Sequence, residues 1–282
     1  MRSLFIAVAF CFPIIGYGFQ EPARDSVQLW KHTLVSALTF TQVSYSNWAQ
    51  GGENAMAYAI SIEGKSERDD TTFNWSNAYK FAFGQARLGD QGLRKTDDKI
   101  DLQSVLTYKF GAYVNPYAAA TLKSQFAEGL MYDELGNGTA VSARFDPLYL
   151  TQSVGLGHAP VPEIKTRLGV ALREIVTSVY VAYSDDPGTA EIEKVKVDGG
   201  LESVTEVEWK IEENVLLTSK LELFAPMKKF SEVVVRGDNT LSIKVSKYIL
   251  VNLNVQFINE KQITPRTQVK ETLAIGLSYT LL

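Results

Sequence analysis

The sequence predicts an all-β protein: a transmembrane antiparallel up-and-down β-barrel of about 12 strands. Three observations predict it. Apolar and polar residues alternate with period two along most of the chain, the signature of strands with two unlike faces. The alternating runs are mostly about 10–14 residues long, which suits a tilted strand crossing a bilayer (~9–11 residues) better than the ~5–6 of soluble strands. Long and short connections also alternate, as they do in membrane barrels whose termini lie on one side.

The elements follow in order. Residues 1–18, MRSLFIAVAFCFPIIGYG, carry one cation, an apolar run and small residues at Gly16 and Gly18. They read as a secretory signal peptide, leaving 19–282 as the barrel. The single cysteine, Cys11, lies inside that segment, so the exported chain is expected to lack disulfides and thiolate sites. Strands are expected near 31–43, 55–65, 71–85, 99–110, 115–127 and 149–159. The rest fall near 163–181, 192–212, 214–225, 239–247, 248–258 and 268–281. In 71–85, Phe73, Trp75, Tyr79, Phe81 and Phe83 share one face and Asn74, Ser76, Ala78 and Lys80 the other. In 99–110, Leu102 and Leu106 stand opposite Asp101 and Gln103, and in 268–281 Leu273, Ile275 and Leu277 stand opposite Thr272, Ala274 and Gly276.

The odd connections are long (44–54, 86–98, 128–148, 182–191, 226–238 and 259–267). The even ones are tight: KSERDD, GAYVN, APVP, EEN and a direct reversal at Lys247–Tyr248. A soluble barrel would alternate equally well with its apolar face inward. Strand length, loop asymmetry and aromatics at strand ends favour the inside-out version. Trp48, Trp75 and Trp209 are placed in the interfacial girdles. Trp48 is expected at the rim of the first outer hairpin, where Gly51 and Gly52 free the backbone for a turn.

Three stretches carry a resemblance. NWAQGGENA, FNWSNAYKFAFGQ and DPLYLTQSVGLG, in this order after a signal peptide, resemble a Bacteroidota family of outer-membrane barrels known as a domain of unknown function. The resemblance is read over most of the mature chain. It implies a Gram-negative outer-membrane location, a lipid environment and insertion by the barrel assembly machinery. It brings no catalytic residues. Leu282 departs from the terminal phenylalanine common in such barrels.

The chemistry is sparse. The formal charge of −4 is spread along the chain, so no nucleic-acid partner is expected. The two histidines, His32 and His158, fall at the periplasmic end, whereas outer-membrane hydrolases need an activated histidine outside. Asp133, Glu134, Asp185 and Asp186 lack the spacing of a calcium loop. No enzyme activity, cofactor or metal is expected.

The polar strand faces carry charges of both signs, which point into a wet lumen in this architecture. A hairpin centred between Asp186 and Pro187 would set Arg167 opposite Glu206 and Lys165 opposite Glu208. A reversal about Glu213 sets Glu206 opposite Lys220. The expected ladder is Arg167–Glu206–Lys220. The function expected is structural or a narrow, porin-like solute conduit. An adhesion barrel acting through its long loops, and a hydrolase, are the alternatives.

Overall fold

The computed structural model describes residues 30–44, 52–111, 113–186 and 188–280. Its strands are β1 (Lys31–Val43), β2 (Ala55–Asp69), β3 (Phe73–Leu88), β4 (Arg94–Tyr108), β5 (Asn115–Ser124), β6 (Gly129–Tyr132) and β7 (Gly138–Ser142). They continue as β8 (Leu148–Val161), β9 (Ile164–Val176), β10 (Val195–Glu212), β11 (Val215–Pro226), β12 (Val234–Lys244), β13 (Ile249–Asn259) and β14 (Gln268–Thr280). β6 and β7 form a separate two-stranded sheet, and the other twelve close into a barrel in which β1 pairs with β14. All twelve pairings are antiparallel. The seam joins Val35–Leu38 to Leu277–Thr280, and closure of this kind is the condition for β-structure in hydrocarbon.

The register shows why the alternation exists. Lys80, Asp101, Lys123, Tyr149, Ile175 and Lys196 are successive cross-strand partners from β3 to β10. One residue away, Tyr79, Leu102, Leu122, Leu150, Glu174 and Val197 form the next row. The first row faces inward, because its neighbour Lys99 reaches Asp238 on the opposite side of the ring at 2.6 Å. The second row faces outward. Leu273, Ile275 and Leu277 of β14 also face outward, each more than 60% exposed. A soluble protein does not leave an apolar band of this kind in water, so the barrel is the inside-out version. Glu174 interrupts the band two residues from the end of β9, where Gln152 donates to it at 3.2 Å.

Several boundaries differ from expectation. The segments 86–98 and 226–238 are expected as long connections, yet β3 runs to Leu88, β4 starts at Arg94 and β12 starts at Val234. Arg236 and Asp238 alternate with Val235 and Gly237 and point into the lumen, so charge there marks a face and not a loop. The β3–β4 connection therefore shrinks to 89–93, no longer than the turn after β4, and the loop asymmetry fails at that place. An irregularity at Gly84/Gln85 accommodates the extra residue of β4. Likewise β2 extends through the supposed turn to Asp69. β9 stops at Val176 and β10 starts at Val195, because Val181–Tyr183 winds into a single 3-10 turn. The long segment 128–148 is not structureless but carries the β6–β7 hairpin. Residues 1–18, Trp48 and Gly51 lie outside the described residues; Gly52 has φ of 135°, a turn conformation that favours glycine.

Candidate functional site in the barrel lumen

The register sets β9 against β10 with Lys165 opposite Glu206 and Arg167 opposite Val204. A symmetrical hairpin about Asp186–Pro187 is therefore two residues out. The cause is the loop. The pairing Val176↔Val195 centres the reversal between Asp185 and Asp186, where Ser184 accepts from or donates to Thr177 at 2.6 Å and donates to Glu193 O at 2.7 Å. A two-residue slip keeps every side chain on its own face. Arg167 Nη1 still lies 3.6 Å from Glu206 Oε1, and Glu206 stands opposite Lys220, with Nζ 3.9 Å from the same oxygen. The Lys165–Glu208 pair does not form as expected, because Glu208 stands opposite Thr218, beyond the end of the β9 pairing.

The larger finding is that side chains meet across the lumen. Gln103 of β4 donates to Glu206 of β10 at 2.8 Å and accepts from Lys220 of β11. Lys123 of β5 pairs with Glu222 of β11, Lys99 of β4 with Asp238 of β12, and Lys270 of β14 with Asp97 of β4 at 2.6 Å. β4 and β12 lie on opposite sides of the ring, so the Lys99–Asp238 pair is a bridge across the bore. Alternation could place these residues inside, but not say which met which. Cross-lumen contacts depend on ring diameter and stagger, which no local pattern encodes.

The bridge separates two unlike halves. On β4–β5 and β8–β12 the inward side chains are packed. Tyr117, Thr121, Ser153, Ala171, Val204 and Phe224 are all buried. Tyr117 can lie flat against this wall because Gly169 has no side chain; a Cβ there would fall 2.6 Å from the Tyr117 hydroxyl. On the other half the inward row is Ser278, Ala37, Ser61 and Ala82, which ends at Lys99. None of these four is buried, and the neighbouring Glu63 side chain is 59% exposed. The space inside the barrel is thus off-centre, against β14, β1, β2 and β3.

At the long-loop rim a cavity of about 550 Å³ opens between lumen and hairpin. Asp97, Lys99, Lys123 and Lys270 line its wall and Leu130, Tyr132 and Val141 its other side. The hairpin is held there by Asp98, which accepts from the backbone N–H groups of Phe126 (2.7 Å) and Ala127 (2.9 Å), and by Arg94, 3.9 Å above the Tyr132 ring.

The remaining candidates are placed as follows. Trp75 and Trp209 face outward near the short-turn rim; Trp75 Nε1 donates to Ser104 at 3.0 Å. His32 also faces outward, 2.9 Å from the Ser66 hydroxyl and stacked on Trp30. His158 bonds the Tyr113 carbonyl. The acidic loop residues act as turn formers. Asp133 accepts from the N–H groups of Leu135 and Asn137, and Asp186 from that of Gly188 at 3.0 Å. Among the described residues no group of three or more His, Cys, Asp or Glu is placed to hold a metal ion.

Comparison with known proteins gives a family likeness and a set of similar barrels. The model of a family described as "Protein of unknown function (DUF3078)" matches residues 40–130, from the end of β1 to the start of β6. That span includes the first two of the three motif stretches and excludes DPLYLTQSVGLG. No curated protein matches the chain. Among solved structures, the chain is similar to an outer membrane channel from Pseudomonas putida F1, at 10% identity and a TM-score of 0.39, covering 92% of this chain and 99% of that one. It is also similar to the translocator domain of the autotransporter NalP from Neisseria meningitidis, at 10% identity and a TM-score of 0.38, covering 88% and 86%.

Proposed function

We propose that the protein is a bacterial outer-membrane barrel that forms a narrow, off-centre conduit for small polar solutes. The observation that carries this reading is the division of the lumen. One half is filled by buried side chains, and the other is lined by Ala37, Ser61, Ala82 and Ser278, residues too small to fill it. A barrel serving only as a wall or an anchor gains nothing from leaving half its bore unpacked, since interiors pack closely wherever they can. Twelve strands lie between the ~8 whose interior side chains fill and the ~16–18 that leave a wide aqueous channel. A small, filtered passage fits that size.

The outer-membrane location is supported by the signal-peptide reading of residues 1–18, by the exposed apolar band, and by β1 beginning and β14 ending at the short-turn rim. The rim with the long loops is then extracellular. Insertion by the barrel assembly machinery is part of this reading. Reconstitution into planar bilayers tests the reading. Small discrete conductance steps are expected, well below those of wide porins. A barrel that folds and inserts without conducting would leave a structural role.

A second reading has its own observation. Leu135 at the hairpin tip is 88% exposed and Met131 66%, which suits contact with a partner outside the cell. Deleting 129–142 would abolish cell-surface binding on that reading, and alter conductance on the first.

A further inference from the structure

A carboxylate sits in the extracellular mouth, on the packed side, where the conduit has no use for it. Glu260 directly follows β13 and is 1% exposed. Its Oε1 accepts from Arg173 Nη2 at 2.6 Å and its Oε2 from Arg236 Nη2 at 2.9 Å. The two arginines come from β9 and β12 and converge on this one residue. Their guanidiniums lie 5.4 Å and 4.9 Å from the centre of the Tyr149 ring, and Arg173 lies 5.8 Å from that of Phe224.

The valence is uneven. A guanidinium can hold a whole carboxylate through two parallel bonds, yet here two guanidiniums share one, an oxygen each. Among the described residues neither arginine makes another ion pair, and the Nε of Arg236 has no partner. The carboxylates opposite them in register, Asp198 and Glu222, are paired with Lys196 and with Lys123 and Lys220 instead, and a buried cation that shares its partner is costly. Among the described residues Glu260 is the one carboxylate ion-paired to either arginine.

We propose that Arg173, Arg236 and Tyr149 form a carboxylate-binding site for small anionic solutes, and that Glu260 occupies it in the resting barrel as an internal stand-in. The chemistry selects a carboxylate, since the two donors reach separate oxygens of one such group and an aromatic ring borders them. Displacement has a mechanical consequence. The Glu260 carbonyl accepts from the N–H groups of Ile263 and Thr264, so the loop 260–267 folds back onto this residue. Its other ties run through Gln262, which donates to Glu232 at 2.8 Å and accepts from Lys196, and through Thr267, which accepts from Asn259 Nδ2 at 2.8 Å. A solute carboxylate that takes the arginines releases Glu260 and leaves the loop on the Gln262 and Thr267 contacts. Binding rests on the geometry of the triad; a change in passage rests also on the conduit reading.

The test is chemical rescue. Glu260→Ala empties the site and keeps both arginines. Its thermal midpoint in detergent should fall below wild type, then rise on adding acetate or succinate and not on adding chloride at equal ionic strength. Succinate titrated calorimetrically should bind the variant at least about tenfold more tightly than wild type, since the internal competitor is gone. Glu260→Ala/Arg236→Gln should lose the rescue. A folded Glu260→Ala barrel that chloride stabilises as well as acetate does, or that shows no saturable succinate binding, overturns the proposal. Should Glu260→Ala not fold, wild type decides: saturable succinate binding lost in Arg236→Gln supports the site, and no saturable signal overturns it. In bilayers, succinate should raise wild-type conductance. Rescue in a barrel that never conducts would keep the site and remove the conduit.

Discussion

Asn77 of β3 breaks the outer face at the scale of one residue. It belongs to an outward row of cross-strand partners, His32, Ser66, Asn77, Ser104, Ala120 and Gln152. It is 1% exposed, and neither its amide nitrogen nor its oxygen has a partner among the described residues. The indole of Trp75, two residues away, reaches Ser104 and so lies beside it. On a lipid-facing wall no water is at hand to satisfy the amide. Asn77→Ala should therefore stabilise the barrel by about 1–3 kcal/mol, measured by urea unfolding in vesicles. A loss of stability would mean that the amide is paired in the membrane. The faces themselves were legible one residue at a time. Leu102 faces outward and Gln103 inward, as alternation required. Leu102→Arg should cost ~2–4 kcal/mol if the residue sits near the midplane and should reduce assembly into the membrane. Gln103→Arg should still assemble, although it disturbs the bonds to Glu206 and Lys220; equal tolerance at both positions would undo the inside-out assignment. Asn77 shows the limit of that legibility. Alternation already sets Asn74 and Asn77 on opposite faces, but only the structure shows that Asn77 is buried beside Trp75 with its amide unpaired among the described residues.

At the scale of elements, twelve barrel strands were readable because each alternates over a length that few soluble strands reach. Their ends were not. Charge signals a loop in a soluble protein but a lumen face here, so Arg236 and Asp238 disguised the start of β12. The two-residue offset between β9 and β10 has a different origin. The 3-10 turn at Val181–Tyr183 moves the centre of the reversal, and such local winding depends on Thr177, Ser184 and Glu193 meeting in space. The β6–β7 hairpin was hidden for want of length. Its turn is set by Asp133, whose carboxylate accepts from the side chain and backbone of Asn137 and from the N–H of Leu135. The Asn137 hydrogen bonds hold this carboxyl below the usual aspartate range. A depressed acid supports the folded turn above its unfolded pKa, near 3.9, and that support is lost as pH falls through the lowered folded value. Amide exchange at Leu135 and Asn137 should thus accelerate below about pH 4, relative to amides of the barrel wall. Asp133→Asn should remove the pH dependence. An unchanged ratio to the barrel-wall amides from pH 7 to pH 3 would show that the turn does not need the charge.

The whole molecule adds what neither residues nor strands contain: which inward side chains fill the bore and which leave it open. Lys99 and Asp238 are 139 positions apart in sequence and touch because the ring brings β4 across to β12. A bridge like this has no local signal, so the mixed charges on the polar faces could be read from sequence while the off-centre bore could not. The consequence can be tested without filling or emptying anything. The chain has one cysteine, Cys11, inside the segment read as a signal peptide, so a single introduced thiol reports on its own position. Ala59 of β2 and Ala274 of β14 both point inward on the open side. Val204 and Ala171 point inward on the packed side and are buried. A water-soluble, bilayer-impermeant thiol reagent should label Ala59→Cys and Ala274→Cys quickly and lower their conductance, because each attached group narrows the passage. Val204→Cys and Ala171→Cys should react slowly and leave conductance nearly unchanged. Alanine and valine are close enough in size to cysteine that folding should survive all four changes, to be checked by the heat-dependent shift of a folded barrel on a gel. Labelling of all four at one rate would describe a centred, water-filled bore. Labelling of none would describe a closed one, with the cross-lumen bridges acting as a plug and the barrel serving as a wall.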